Sequence, residues 1–351
     1  MIRENIQSLV DGESLSPEES RQTMQEIMTG QATNSQIAAF LTALRMKGET
    51  VEELVAFAKV MRENCLRIRP KVQGRLVDTC GTGGDKVKTF NISTVSAFVV
   101  AGAGVAIAKH GNRSVTSKSG SADVLELLGV NLGMPPETVK GAIEGVGIGF
   151  MFAPAFHPAM KYAVAPRKEV GIRTVFNLLG PLTNPARANA QLLGVYDASL
   201  VESLSKALSR LGCEEAMVVH GLSGLDEVST LGKTIVSHLR DGEIRTFQIA
   251  PEDLGLKKAR TKDLLGGSPK ENARTLIKIL KGDCSHSDAK TEIVLANSAA
   301  AILVAGKAET LKEGCDIARE SIRTGAALSK LELLIKFSGG NPIKIEELKQ
   351  E

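Results

Sequence analysis

Ile37, Phe40, Leu41 and Leu44 recur three and four residues apart in an otherwise polar stretch, the stripe of a helix packed on one side. The same texture runs through the first seventy residues. Three helix starts are written into it. Ser16-Pro17-Glu18-Glu19 is a capping box with proline at the first helical position, and Thr33 with Gln36 and Thr50 with Glu53 repeat the device. Gly30 and Gly48 stop the first two of these helices, and Pro70 breaks the pattern. A helical N-terminal domain over residues 1–72 is predicted.

Beyond it the apolar runs shorten and cluster. Residues 76–79, 105–108, 191–196 and 215–220 read as buried strands, and 93–102, 122–128, 136–145 and 200–211 as helices. Such alternation predicts a mostly parallel sheet covered on both faces. Asp241-Gly242, between the strand-like runs 234–240 and 243–249, signals a hairpin. Residues 271–337 read as largely helical. The fold class is therefore α/β: a small N-terminal helical domain plus a larger α/β domain, residues 73–351, with a mostly parallel central sheet covered by helices. Part of 157–187 is expected to pack on the helical domain.

Composition narrows the class. A hydrophobic share of 43% supplies a packed core and argues against disorder. Aromatics are 3% with no Trp, so Leu, Ile, Val and Ala must build that core. A net charge of +3 is too small to argue for nucleic acid or an anionic membrane. Five cysteines without a CxxC pair read as reduced thiols, neither a disulfide frame nor a zinc site. The first residues are too charged for a signal peptide. The longest near-apolar run, residues 95–108, is far short of the ~20 needed to cross a bilayer. A cytoplasmic protein is expected, with no nucleic-acid or membrane partner.

Four stretches carry chemistry. In the first, Asp78-Thr79-Cys80-Gly81-Thr82-Gly83-Gly84-Asp85, a strand runs into glycines, and Asn91, Ser93 and Thr94 then open a helix. Helix N-termini present unpaired N–H groups and hold phosphate well. Neither the P-loop nor the dinucleotide fingerprint is present, because Lys86 stands where the latter needs its last glycine. Asp85 suits a sugar hydroxyl or a metal's water. A tight βα turn would explain the glycines about as well. The second stretch runs from Lys109 to Asp123 after a buried strand. Its first thirteen residues hold three basic side chains, His110, five hydroxyls and two glycines, a dense anion-binding surface. The third spans Phe152 to Pro185, where Arg167 suits a carboxylate clamp, although a surface ion pair is the commoner use of such an arginine. In the fourth, the neighbouring acids Asp226 and Glu227 follow a strand and a glycine loop. Beside two phosphate-type loops they suit Mg2+. His157, His238 and His286 show no metal spacing and read as structural or surface residues. Nothing near Cys80 marks it as a nucleophile.

These segments, DTCGTGGD with KTFNIST, KHGNRSVTSKSGSAD, FAPAFHPAMKYAVAPRKEVGIRTVFNLLGPLTNPA and HGLSGLDEVS, closely resemble the anthranilate phosphoribosyltransferase family over nearly the whole chain. The wider fold is shared with pyrimidine nucleoside phosphorylases, so fold alone does not settle the substrate. A phosphorylase-like enzyme and a non-catalytic nucleic-acid-binding relative are the rival readings. The resemblance implies that phosphoribosyl pyrophosphate binds to Gly81, Gly84, Asp85, Thr89, Asn91, Ile92, Ser93, Thr94, Lys109, His110, Gly111, Asn112, Arg113, Ser114, Val115, Thr116, Ser117 and Ser121. It implies anthranilate at Gly81, His110, Asn112 and Arg167, and two Mg2+ ions per subunit, one touched by Ser93 and one held by Asp226 and Glu227. No residue is implied as nucleophile or strong base. A homodimer through the N-terminal helices is also implied. One departure is Ser223, where relatives often carry an acid.

Overall fold

The computed structural model describes residues 1–84, 87–114, 119–283 and 288–350. It opens with four helices, α1 (Ile2–Val10), α2 (Pro17–Met28), α3 (Asn34–Lys47) and α4 (Val51–Glu63). The capping boxes at Ser16, Thr33 and Thr50 all form, each side chain accepting from the backbone three residues on. Helix α1 has no side-chain cap, which is why three start signals announce four helices. Glu53 does more than cap. Fully buried, it also accepts from Leu15 N–H (2.9 Å) and Lys47 Nζ (2.9 Å), tying the α1–α2 loop and the end of α3 to α4.

The larger domain runs β1 (Leu76–Gly81), α5 (Ile92–Gly102), β2 (Ala106–Gly111), α6 (Ser121–Leu127), α7 (Pro136–Val146), β3 (Ile148–Phe152), a short α8 (Ala153–Phe156), α9 (Lys161–Val170), α10 (Phe176–Leu182), β4 (Ala190–Gly194), α11 (Leu200–Arg210), β5 (Glu215–Gly221), β6 (Thr234–Arg240) and β7 (Glu243–Ile249). Five helices close the chain: α12 (Pro269–Lys281), α13 (Ala289–Val304), α14 (Leu311–Arg323), α15 (Ala326–Phe337) and α16 (Pro342–Gln350).

The strands form one sheet in the order β3-β2-β1-β4-β5-β6-β7. The first five are parallel, and the last two add as an antiparallel hairpin. Asp241 and Gly242 join that hairpin with φ of 52° and 80°, the paired positive values of a type I′ turn. Strand β3 is not foreseen by the sequence reading. It begins one residue past α7, after Gly147 turns the chain at φ 93°, and its apolar residues simply continue the helix's stripe. The omission has a consequence for β2. Lys109, His110 and Gly111, read as loop, pair with Phe150, Met151 and Phe152 and belong to the strand.

Helices α5, α7 and α12–α15 cover one face of the sheet. The other face meets α11, and beyond it the N-terminal helices with α9 and α10. Helix α9 packs on α2 and α3, and α10 packs on α4. Arg62 of α4 stitches this layer to the rest, donating to the carbonyls of Leu182 (2.7 Å) and Leu211 (3.0 Å). Among the described residues no helix is long and apolar enough to cross a membrane. Strand order reverses at β1, so the crevice beyond the C-terminal ends of β1, β2 and β4 is where such a sheet binds ligands.

Candidate active site

β1 and β4 end side by side in two glycines, Gly81 opposite Gly194. Asp226 crosses directly over both. A Cβ on Gly194 would collide with the Asp226 carbonyl oxygen, and one on Gly81 would stand 2.6 Å from its Oδ2. Glycine here serves close approach, and the approach delivers a carboxylate to the loop: Asp226 Oδ2 accepts from Gly83 N–H at 2.9 Å. Asp226 is buried and Glu227 beside it is half-buried.

Lys109 lies almost wholly inside the protein, 3% exposed. Its Nζ donates to the Thr79 carbonyl (2.5 Å) and to Ser93 Oγ (3.3 Å). Thr79 Oγ1 donates in turn to the Ser93 carbonyl at 3.1 Å. This links β1, β2 and the first turn of α5. Asp78 completes the group. Burial pushes its carboxyl up to about 6, while Lys109, Asn184 Nδ2 (2.8 Å) and His110 N–H (3.3 Å) favour the charged form. Burial also drives the Cys80 thiol far up, so that sulfur is no nucleophile.

Asn91 is a junction. Its Nδ2 donates to the Ser119 carbonyl (3.1 Å), and its Oδ1 accepts from Ser119 Oγ (3.2 Å) and Asn272 Nδ2 (3.1 Å). Thr89 bridges to Leu265 on the same side, and Ile92 and Thr94 are buried in the start of α5. The Thr94 hydroxyl is buried with no partner among the described residues. Asp123 closes the second loop by accepting from Ser114 N–H (3.0 Å) and Gly120 N–H (2.9 Å). Ser121 Oγ reaches the Asn112 carbonyl at 3.4 Å. Arg113 turns away from the crevice: its guanidinium forks onto Glu126 (2.8 and 2.9 Å), touches Asp123 (3.2 Å) and covers the Phe152 ring. Asp85, Val115, Thr116 and Ser117 lie outside the described residues.

Next to the glycine turn opens a cavity of about 440 Å³. Gly81, His110, Gly111 and Asn112 form one wall; Arg167, Phe176 and Asn177 face them from α9 and α10. All four residues expected to touch an aromatic acid therefore line one space. The Arg167 guanidinium sits 5.1 Å from the Phe176 ring centre, and burial draws its pKa down. No carboxylate pairs with it among the described residues.

His157, which the sequence suggested was structural or surface, is buried in the cavity wall, its ring 5.0 Å from that of His110. Burial holds both imidazoles neutral, His157 down to about 4 and His110 to about 3, the latter also lowered by its neighbour. Both Nε2 atoms are buried without a partner among the described residues. Chemically the arrangement offers a cavity with a cation in its wall. Beside it lie the glycine turn, Lys109 and the start of α5, with the acids Asp226 and Glu227 next to the turn.

Residues 73–328 match the glycosyl transferase family, a/b domain, and residues 3–65 match its helical bundle domain. Both matches place the fold among the glycosyl transferases. The anthranilate phosphoribosyltransferase of Methanocorpusculum labreanum is 53% identical over 340 residues, 97% of this chain and 99% of that protein. The crystal structure of the Thermus thermophilus enzyme of that name superposes with a TM-score of 0.89 at 43% identity, covering 95% of this chain and 98% of that one. The Saccharomyces cerevisiae enzyme, in complex with PRPP and Mg, gives a TM-score of 0.89 at 32% identity, covering 96% and 98%. The chain belongs to the anthranilate phosphoribosyltransferase family.

Proposed function

We propose that this chain transfers the phosphoribosyl group of 5-phospho-α-D-ribose 1-diphosphate (PRPP) to the amine of anthranilate, in tryptophan biosynthesis. The products are N-(5-phosphoribosyl)anthranilate and diphosphate. One observation carries the reading. The cavity holding the unmatched Arg167 shares Gly81 with the glycine turn, so an aromatic carboxylate in the one and a diphosphate at the other would lie within one reaction's reach. The matches to 3–65 and 73–328 support a boundary near residue 72 between a helical domain and a phosphoribosyl-binding domain.

Bond breaking at the anomeric carbon leaves oxocarbenium character on the sugar and negative charge on the departing diphosphate. The Gly83–Gly84 turn, Lys109 and the α5 N-terminus hold positive potential where that charge grows, which is the larger catalytic term. Ser93 would hold one Mg2+, and Asp226 with Glu227 a second. Two neighbouring carboxylates suit Mg2+, which needs one or two of them, keeps several waters and is shared with substrate phosphates. The chemistry the ions supply, when bound, is neutralisation of the leaving group.

The acceptor side needs less. An aromatic amine is already neutral at pH 7 and requires placement more than activation. Arg167 anchors the carboxylate and so aims the amine. His110 and His157, held neutral by burial, add no positive charge beside the forming cation. Direct displacement with inversion is expected: the amine nitrogen bonds the anomeric carbon as its bond to diphosphate breaks, the surplus amine proton passes to water, and no covalent enzyme intermediate forms. A trapped phosphoribosyl-enzyme would contradict that mechanism. We also infer a homodimer through the N-terminal helices, where Val10 and Met46 stand 66% and 84% exposed.

The test offers the purified chain two substrate pairs, PRPP with anthranilate and a pyrimidine nucleoside with inorganic phosphate, and separates the products. Phosphoribosylanthranilate from the first pair alone supports the reading. Phosphorolysis of the nucleoside without transfer to anthranilate overturns it.

A further inference from the structure

Arg173 stands in the five-residue link, 171–175, between α9 and α10. Its guanidinium crosses to the larger domain and donates to the carbonyl of Gly84. It also stacks on Tyr196, 4.2 Å from the ring centre, a cation held over an aromatic face. Gly84 sits at φ 76°, a conformation that favours glycine, and a Cβ there would press on that guanidinium. Tyr196 follows β4, and its N–H donates to Thr82 Oγ1 at 3.1 Å. The Thr82 N–H donates to the Gly194 carbonyl at 2.9 Å. Arg173, Gly84, Thr82 and Tyr196 thus close a ring of contacts around the base of the glycine turn.

The other end of the link belongs to the aromatic cavity. Thr174 N–H donates to Asn177 Oδ1 at 2.9 Å, fixing the start of α10. Asn177, Phe176 and Arg167 line the cavity. Arg173 thus joins the link between α9 and α10, whose residues Arg167, Phe176 and Asn177 line the cavity, to the Gly84 carbonyl of the turn. Contiguous contacts of this kind can carry energetic coupling between two sites.

We propose that Arg173 is a positioning residue that couples the two substrate sites: a filled aromatic cavity sets the glycine turn for diphosphate, and bound diphosphate sets the cavity for the aromatic acid. The proposal rests on the function proposed above. Coupling of this kind is reciprocal, so one factor must appear in both directions.

Anthranilate binding, followed by the ligand's own fluorescence, tests it. The inert occupant of the turn is inorganic diphosphate with Mg2+, absent or saturating. The proteins are the full chain, Arg173→Ala, Arg173→Lys and Tyr196→Leu, each with its circular dichroism and transferase activity recorded. In the unaltered chain, diphosphate should tighten anthranilate by at least about fivefold. In Arg173→Ala that ratio should fall to near one, while anthranilate alone binds within about twofold of the unaltered chain. Arg173→Lys, which keeps a donor for Gly84, should recover part of the ratio. Tyr196→Leu should lose part, and it decides the matter should Arg173→Ala fail to fold. An unchanged ratio in the folded variants, or no coupling in an active unaltered chain, overturns the proposal. An unaltered chain with no transferase activity overturns the function proposed above and this inference with it, a distinguishable result.

Discussion

Arg167 brings a positive charge to the wall of a half-apolar cavity and meets no carboxylate there among the described residues. A partly buried cation left so is costly unless a ligand supplies the anion. Arg167→Ala should raise the anthranilate KM on the order of 10–100-fold, the worth of a hydrogen-bonded charge, with the PRPP KM nearly unchanged. Steady-state kinetics with each substrate varied decides this, and equal damage to both constants would undo the assignment. His157 makes a second residue-level claim. Its folded pKa, about 4, lies below the ordinary imidazole value of 6.5 because of burial. Between those values the unfolded chain takes up a proton that the folded chain refuses. The stability His157 contributes is thus intact above pH 6.5 and is lost as pH falls toward 4. Asp78, raised by burial to about 6, acts oppositely and loses stability as pH rises from 3.8 to 6. His157→Gln should therefore flatten the fall of Tm between pH 6.5 and 4. A thermal-melt series showing the same slope in both proteins would rule out the neutral buried imidazole.

Helices and strands show where a sequence speaks for itself. The caps at Ser16, Thr33 and Thr50 and the Asp241-Gly242 turn are local devices, complete within four residues, and each forms as read. Thr33→Ala removes one of them. It should cost about 1 kcal/mol in denaturant unfolding without touching kcat. A loss of activity at full stability would mean the cap does something other than hold α3. Elements whose evidence is not local were harder to see. Strand β3 is an apolar run with no alternation and only Gly147 between it and α7, so nothing in its own five residues separates it from the helix before. Helix α5 is nearly all buried, and its place at the crevice came from Ser93 and Thr94 at its start, not from periodicity.

At the scale of the whole molecule the site is an encounter between segments far apart in the chain. The basic run that starts at Lys109 is legible by itself, the glycines Gly81–Gly84 about half so, while Arg167 alone reads as a surface arginine and Asp226–Glu227 gain their meaning only beside the other loops. What joins them is not legible. Gly194 looks like any strand-ending glycine, and its need appears only when Asp226 lies across it. His157 looks like a surface histidine until α8 and β2 bring it to His110. Arg113 looks like an anion ligand until α6 presents Glu126 and Asp123 to it. The acid pair is the part that must act with its neighbours. Replacing Asp226 and Glu227 together by Asn and Gln should cut kcat/KM by at least about a hundredfold and shift the Mg2+ titration of the rate. An unchanged titration would count against a metal there.

The convergence itself is open to one direct measurement: a crystal structure of the chain grown with Mg2+, inorganic diphosphate and anthranilate. The expected result is both ligands in the same subunit, the carboxylate on Arg167 and the diphosphate at the Gly83–Gly84 turn, beside Asp226 and Glu227. The amine should face the open end of the diphosphate, where the sugar would lie. Ligands bound on separate surfaces, or anthranilate seated away from Arg167, would contradict the account.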